Sequence, residues 1–498
     1  MKVAEQTNRT EAAQGAKGAQ GVHNKAEDPK SANASKLIAV AAFSCLVVTL
    51  LQSLVVPAVP KFPAVLGASA TTVSWLVTST LLTGAIATPV IGRLGDLLPR
   101  RRMMIITMVL VFVGSIIAPL GGTVTVIIGR ALQGMGTALI PVAMAEMRYS
   151  LPPHRIGGAL ALLSAMLGIG GGLGIPLGGV ILSFIDWKAM FWFAAIMSAI
   201  SIALIASFIP ADTSDNKGSF DYVGAVLLSL GLTAVLSAIS QGGSWGWGSV
   251  LTIGLFFAGI VVFVAWGYYE LRQDSPLVNL RTTADRPILL TNIASILLGV
   301  LMFTNLLLTT LELQNPIAQG GFEWPASAAG LAMLPSALSM FAVAPISARL
   351  AAKFGARIVV TAGSAITAIG YIARLFLEPN GGFVVVWATV VAIGVGIGYA
   401  GLPMMIVKYA PAHETGSANA VNALMRSIGM AASSAIVAAI TATLAVAHGS
   451  GTVPSSGALD TLAIISIAMG VIATLLSLAA RRKGEAEIKH KHTELKEQ

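Results

Sequence analysis

The chain has 498 residues, of which 55% are hydrophobic and only 11% are charged, and its mean hydropathy is +0.81. A soluble domain carries about 25% charged residues, so this composition argues against a soluble enzyme and against an intrinsically disordered chain. The continuous apolar runs also argue against a β-barrel porin, whose strands alternate apolar and polar residues. What remains is a polytopic α-helical membrane protein, in which the single cysteine, Cys45, forms no internal disulfide.

The apolar runs predict fourteen membrane-spanning helices, because about 20 predominantly apolar residues cross the hydrocarbon core. In chain order the predicted spans are 37–57, 71–92, 103–120, 123–148, 156–184, 189–209, 221–240, 249–270, 287–312, 326–349, 357–377, 382–408, 416–446 and 458–480. Residues 1–36 are polar and lack the apolar core of a signal peptide, so they predict a disordered cytoplasmic tail. A similar tail is expected at 481–498.

Basic residues give the predicted orientation, since Lys and Arg concentrate in cytoplasmic loops. With the N-terminus inside, the inward loops hold clusters such as residues 100–102 and 481–483, whereas the outward loops hold only Lys61 and Lys188. The even number of spans and the cytoplasmic position of both termini therefore support each other. The sequence predicts a multi-pass protein of the cell membrane.

The spans fall into groups of six, two and six. They predict an N-terminal half at 37–209, a linker and two-helix hairpin at 210–286, and a C-terminal half at 287–480. A weak repeat relates the halves, because GRLGDLLPRRR follows the second helix of the first and SARLAAKFGAR follows the second helix of the last. Paired six-helix halves are typical of transporters whose substrate site lies between them.

Three motifs occur in an order typical of one family. Residues 92–101 read GRLGDLLPRR, residues 130–136 read RALQGMG, and residues 168–179 read GIGGGLGIPLGG. They resemble the loop 2–3 signature, the fourth-helix motif and the fifth-helix antiporter motif of the major facilitator superfamily. The 6+2+6 layout and the segments 220–224 and 245–247 are similar to its fourteen-spanner drug:proton antiporter branch (EmrB/QacA-like). The resemblance implies an all-α major facilitator fold with an inserted hairpin.

The resemblance also implies a gate at the cytoplasmic surface. Asp96 is expected to latch it, because a carboxylate stabilises a helix N-terminus and the helix beginning near Gly416 offers one; a solvated basic loop is the alternative. The predicted latch residues are Gly92, Asp96, Arg100, Arg101 and Glu146. Glu146 is expected to pair with a loop arginine such as Arg100. Pro99 departs from the family pattern, which usually has Gly there.

Polar side chains within the apolar runs mark a candidate cavity, since a mid-helix charge costs about 2.5–3.5 kcal/mol on insertion scales and normally faces a cavity or a partner. The predicted cavity and coupling residues are Gln52, Trp75, Arg130, Gln133, Asn305, Asn422 and Arg426. Arg130 is interpreted as tuning a proton-carrying group or contacting substrate, and a structural arginine bonded to backbone carbonyls is the alternative. Glu312 and Arg374 are expected to snorkel from helix ends.

The antiporter motif predicts a kinked and closely packed fifth helix. Its residues are Gly172, Gly174, Pro176, Gly178 and Gly179. Small residues let helices approach, and proline removes one backbone hydrogen bond. The resemblance implies that this kink takes part in switching access.

The sequence therefore predicts proton-coupled efflux of small amphipathic compounds by alternating access. Many members of the branch carry an acid in the first helix, where this chain has Gln52, which cannot titrate. The missing acid favours one alternative, a dedicated exporter of a neutral or anionic metabolite; a lipid-handling membrane protein is another. No enzymatic activity, metal, cofactor or nucleic acid is expected. The expected partners are a small-molecule substrate and the lipid bilayer, with a monomeric chain and the proton gradient as energy source.

Overall fold

The computed structural model describes residues 29–55, 58, 62–68, 70–210, 219–377, 380–448 and 451–481. Within these ranges fourteen helices are long and apolar enough to cross a membrane, which confirms the predicted all-α polytopic fold. Most of both predicted tails, residues 1–28 and 482–498, lies outside the described residues.

The membrane-crossing helices are numbered α1 to α14 in chain order. They are α1 (Pro29–Leu54), α2 (Ala70–Leu97), α3 (Arg100–Ile117), α4 (Thr123–Gly134 and Leu139–Ser150), α5 (Pro153–Phe184), α6 (Trp187–Phe208), α7 (Tyr222–Trp245), α8 (Val250–Glu270), α9 (Arg286–Gln314), α10 (Ala326–Leu331 and Leu334–Phe354), α11 (Ala356–Phe376), α12 (Gly381–Tyr409), α13 (Thr415–Thr443) and α14 (Ser456–Ala479). The connections contain two short helices, Phe62–Leu66 and Leu280–Ala284, and 3₁₀ turns at Ala118–Leu120, Ile317–Gln319 and Ala412–Glu414.

Several predicted boundaries differ from the structure; for example, α2 ends at Leu97 and not at residue 92. Helix α1 begins at Pro29 and not at residue 37, because proline suits a first helical turn and the polar residues after it continue the helix beyond the apolar stretch. Helix α13 ends at Thr443, and the following residues form an antiparallel hairpin of β1 (Ala445–His448) and β2 (Gly451–Pro454). Apolar content alone does not separate a short strand from the end of a helix.

Helix α4 is interrupted by a 3₁₀ turn at Met135–Ala138, where it packs closely on α2. A side chain at Gly134 would overlap the carbonyl oxygen of Thr80. Thr137 donates from its hydroxyl to the carbonyl of Gly84 at 3.2 Å. The close approach of the two backbones therefore occurs where the helix geometry changes.

The apolar core has three main parts. One cluster is formed mainly by residues of the six helices from α1 through α6, and a second by residues of the helices from α9 through α14. A third cluster packs the α7–α8 hairpin against α2 and α13. The outer surface of α8 leaves Phe257, Val261 and Val264 exposed, as expected for a helix against lipid. The hairpin thus packs across the junction of the two six-helix halves.

We call the end at which α13 begins and α2 ends the latch end of the bundle. The halves contact each other through α2 with α13 and through α5 with α10.

Candidate functional site

The clearest contact between the halves is a carboxylate on a helix N-terminus. Asp96, in the last turn of α2, is 4% exposed. Its Oδ1 accepts the backbone N–H of Gly416 at 2.9 Å, and its Oδ2 accepts that of Ser417 at 2.7 Å. Both amides belong to the first turn of α13, where intrahelical acceptors are absent. The carboxylate therefore satisfies two amides and faces the positive end of the helix dipole.

Small residues allow this approach. A Cβ at Gly92 would lie 2.5 Å from the Cβ of Ala420, and a Cβ at Gly416 would lie 3.0 Å from the carbonyl oxygen of Gly92. Arg148, near the end of α4, also donates to the hydroxyl of Thr415. The N-terminal half thus contacts the start of α13 from two helices.

The remaining predicted latch residues lie within the N-terminal half. Arg101 donates to the carbonyl of Ala206 at the end of α6. The guanidinium of Arg100 lies 4.8 Å from the ring centre of Tyr149. Glu146 is buried and accepts a hydrogen bond from Ser150, while its pairing with Arg100 stays a prediction. Of the five residues, Gly92 and Asp96 contact α13 directly.

The glycines of α5 present two packing faces. Side chains at Gly170, Gly174 and Gly178 would overlap Thr49, Ser53 and the carbonyl of Leu54, all on α1. Thr49 and Ser53 also donate to α5, at 2.8 Å to the carbonyl of Met166 and at 3.1 Å to that of Gly170. This face of α5 therefore joins two helices of one half.

The second face of α5 meets the other half. Side chains at Gly168 and Gly172 would overlap Met340 and Ala337 on α10. A side chain at Gly179 would meet nothing within 4 Å, and Pro176 lies inside the helix. Within the motif, Gly168 and Gly172 lie at the interface between halves, whereas Gly174 and Gly178 pack on α1.

Arg130 is enclosed by backbone carbonyls. It is 2% exposed, and it donates to the carbonyls of Leu51 at 3.1 Å, Leu76 at 3.3 Å and Gln52 at 3.3 Å. Its fourth bond, at 3.0 Å, is to the side-chain oxygen of Gln133, whose amide donates to Ser115. This arrangement matches the interpretation of Arg130 as a structural arginine bonded to backbone carbonyls. Its guanidinium joins α1, α2 and α4.

Gln52 and Trp75 also differ in surroundings from the other predicted cavity residues. Gln52 is half-buried, and its carbonyl is one of the acceptors of Arg130. Trp75 lies in the second turn of α2, at the end opposite the latch, and its ring centre is 6.3 Å from that of Trp245 on α7. Trp75 therefore faces the hairpin.

The expectation that Glu312 and Arg374 snorkel is wrong. They form an ion pair, with side chains 7% and 1% exposed. Arg374 also donates to Thr309 at 2.8 Å and to Asn305 at 3.4 Å, and Asn305 donates to the carbonyl of Ala388 at 3.0 Å. The two side chains stay inside because each neutralises the other across α9 and α11. Asn305 therefore belongs to a network within the C-terminal half.

A cavity of about 560 Å³ lies beside this pair. Its lining includes Glu312, Arg374, Leu459 and Asp460, so it opens between α9, α11 and α14 at the end opposite the latch. The cavity belongs to the C-terminal half, not to the junction between halves.

Asn422 and Arg426 lie one turn apart on α13. Asn422 donates to Asn292 at 2.9 Å and to Ser295 at 2.7 Å on α9. Arg426 is 5% exposed and lies 5.0 Å from the ring centre of Tyr399 on α12. The buried hydroxyl of Tyr399 has no hydrogen-bond partner among the residues that the structure describes. Arg426 is about 17 Å along α13 from its start. The sequence did not single out Tyr399, because an aromatic residue in an apolar run carries no distinctive signal.

Two further contributions were missed. Thr49 and Ser53 are four residues apart on α1 and match Gly170 and Gly174 on α5, a spacing that could have been recognised from the sequence. Glu414, just before α13, accepts hydrogen bonds from two residues that follow the hairpin, and nothing in the local sequence indicates that contact.

These features define a polytopic helical membrane bundle in which two six-helix halves meet through a carboxylate latch and a glycine-packed interface. A sequence model of the Major Facilitator Superfamily matches residues 41–434. The chain belongs to the major facilitator superfamily, which confirms the predicted family and fold. Its fourteen candidate spans fit the fourteen-spanner drug antiporter branch.

Curated relatives include proteins named for antibiotic resistance. The chain is 30% identical over 335 residues to the uncharacterized transporter Rv1877 of Mycobacterium tuberculosis, covering 66% of this chain and 48% of that protein, so it spans about half the length of that relative. It is 26% identical over 411 residues to the tetracenomycin C resistance and export protein of Streptomyces glaucescens, and the match covers 82% of this chain and 75% of that protein. It is 26% identical over 333 residues to the lincomycin resistance protein LmrB of Listeria monocytogenes, and the match covers 66% of this chain and 70% of that protein.

Among solved structures, the human organic anion transporter MFSD10 (TETRAN) is similar with a TM-score of 0.64. The match covers 91% of this chain and all of the other at 14% identity, so it shows a shared fold.

Proposed function

We propose that this protein exports small amphipathic compounds across the cell membrane by alternating access, using the proton gradient. The observation that carries the proposal is the latch between Asp96 and the first turn of α13, a buried charged contact between the two halves. A contact of this kind stabilises one relative position of the halves over another. In the proposed orientation, with both termini cytoplasmic, this conformation is the one closed towards the cytoplasm.

The transport cycle follows from which contacts persist. The network of Arg130 and the pair of Glu312 with Arg374 lie within single halves, so each half moves as a rigid unit. The latch and the contact between Gly172 and α10 lie between halves, and the latch, at the cytoplasmic end, breaks when the cytoplasmic side opens. The resistance and export functions named for two relatives support outward transport.

A dedicated exporter of one neutral or anionic compound is the second candidate. Arg426 is a buried cation whose recorded contact is the ring of Tyr399, and no carboxylate among the described residues pairs with it. Such a site favours an anionic or hydrogen-bonding substrate over a cation. Arg426 is therefore the residue on which the two candidates differ.

Efflux from a host that lacks its own pumps tests the proposal. Expression should lower the accumulation of several unrelated compounds among cationic dyes, neutral antibiotics and organic acids, and protection from one class alone would indicate the dedicated exporter. A protonophore should abolish efflux; efflux that survives it while ATP is depleted would refute proton coupling. Arg426→Gln should remove transport of anions while preserving that of cations.

A further inference from the structure

The inserted hairpin contains two buried carboxyl groups that the transport proposal does not use. Asp221 precedes the first residue of α7 and Glu270 is the last residue of α8, and they are 9% and 2% exposed. Asp221 Oδ2 and Glu270 Oε2 are both buried, and neither has a hydrogen-bond partner among the described residues. A buried acceptor that lacks a donor is costly, so each of these two oxygens calls for an explanation.

The two oxygens converge on one point. A Cβ built at Gly224 would overlap Asp221 Oδ2 and lie 2.6 Å from Glu270 Oε2, which places both atoms against the same backbone position. The other oxygen of each group is occupied. Asp221 Oδ1 accepts the N–H of Gly224 at 2.8 Å, and Glu270 Oε1 accepts that of Val278 at 2.6 Å.

Among the described residues, no cation neutralises the pair. Tyr269 is the titratable side chain that faces it, and its hydroxyl donates to Asp221 at 3.2 Å. The nearby arginines are directed elsewhere: Arg272 lies over the ring of Tyr268 at 3.9 Å, and Arg281 donates to the carbonyl of Leu271. Asp274 is exposed, and Glu414 is engaged by the segment that follows the hairpin. Among the described residues, neither carboxyl forms an ion pair.

We propose that Asp221 and Glu270 form a proton-binding site, in which one proton is shared between the two oxygens that lack other partners. Two adjacent buried carboxyl groups without a cation cannot both ionise, as in the dyads of acid proteases. A single proton turns one oxygen into a donor and the other into its acceptor, so it satisfies both at once.

The site is connected to the latch by hydrogen bonds. Glu270 holds the amide of Val278, and the next residue, Asn279, donates to Glu414 Oε1 at 2.9 Å. Thr282 donates to Glu414 Oε2 at 2.8 Å. Glu414 immediately precedes α13, whose first amides hold the latch carboxylate. Loss of the shared proton would place two negative charges together, expel Glu270 and free residues 277–284 from the start of α13. This regulatory step depends on the proposed gate, whereas proton binding does not.

Infrared spectroscopy of the full-length protein in lipid tests proton binding without substrate or transport. The wild type should show a carboxylic-acid C=O band that disappears as the pH is raised, and both Asp221→Asn and Glu270→Gln should lose it. Asn still caps a helix, and Gln can donate to Asp221 in place of the proton, so both variants should fold. Asp274→Asn, an exposed acid of the same loop, should keep the band. A band unchanged in both pair variants, or no titrating band in wild type, would overturn the proposal.

Hydrogen exchange across residues 271–285 tests the connection to the latch. After correction for intrinsic exchange, protection in the wild type should fall as the pair ionises, whereas Glu270→Gln should stay protected at every pH. A titrating band with exchange that is independent of pH would overturn the regulatory step and retain the proton site. Failure of efflux with both results intact would instead refute the transport function.

Discussion

Replacing Asp96 by asparagine tests the latch most directly. Asparagine keeps one side-chain acceptor, so one of the bonds at 2.9 and 2.7 Å to Gly416 and Ser417 is lost together with the charge. Hydrogen bonds to charged groups contribute about 1.5–3 kcal/mol, and a partly buried charge at a helix terminus up to about 2 kcal/mol. We expect the closed conformation to lose about 2–4 kcal/mol relative to the open one, a shift of about 30- to 700-fold.

Hydrogen exchange at the start of α13 measures this shift in the full-length protein. The amides of Gly416 and Ser417 should lose protection in Asp96→Asn. Asp186→Asn is a matched control, because Asp186 caps α6 at the opposite end, where its carboxylate accepts the N–H of Trp187 within one half. The control should leave α13 unchanged.

Unchanged hydrogen exchange at α13 in a correctly folded Asp96→Asn variant would refute the latch. If the first turn of α13 exchanges as slowly in Asp96→Asn as in wild type, the carboxylate does not stabilise this contact. Cys45 is completely buried, so it should not react with a thiol reagent while the variant is folded. Protection of Cys45 therefore verifies that the variant is folded.

Three further substitutions separate contacts between halves from contacts within them. Gly172→Ala should disfavour this conformation by about 1–3 kcal/mol through overlap with α10, whereas Gly179→Ala, which meets open space, should change it little; cross-linking of α5 to α10 reports both. Arg130→Lys should lower the free energy of unfolding by about 3 kcal/mol or more, because lysine cannot replace the four directed bonds of Arg130. An unchanged melting temperature would contradict a structural role for these bonds. Glu312→Gln should cost about 3–5 kcal/mol by leaving Arg374 unneutralised, and replacing both by methionine should recover most of the loss in the same melting assay.

Much of the fold could be predicted because the signals are local. A run of about 20 apolar residues must cross the bilayer, and the distribution of basic residues gives a consistent direction to each run. The latch combined two such signals, an acid after the predicted second span and a helix start near Gly416, and the structure places Asp96 against that helix. The 3₁₀ turn in α4 and the strands after α13 were not predictable, because they depend on neighbouring backbone or resemble apolar helix.

The sequence by itself determined the number of spans, the superfamily and the residues whose burial needs an explanation. Only the tertiary structure decided what each of those residues contacts: carbonyl oxygens for Arg130, the carboxylate of Glu312 for Arg374, and an aromatic ring for Arg426. The physical reason is that lipid and protein interior are both apolar, so hydropathy does not reveal which face of a membrane helix turns towards its neighbours. For the same reason, the sequence does not reveal the contact between Asp221 and Glu270, which forms only when the hairpin folds.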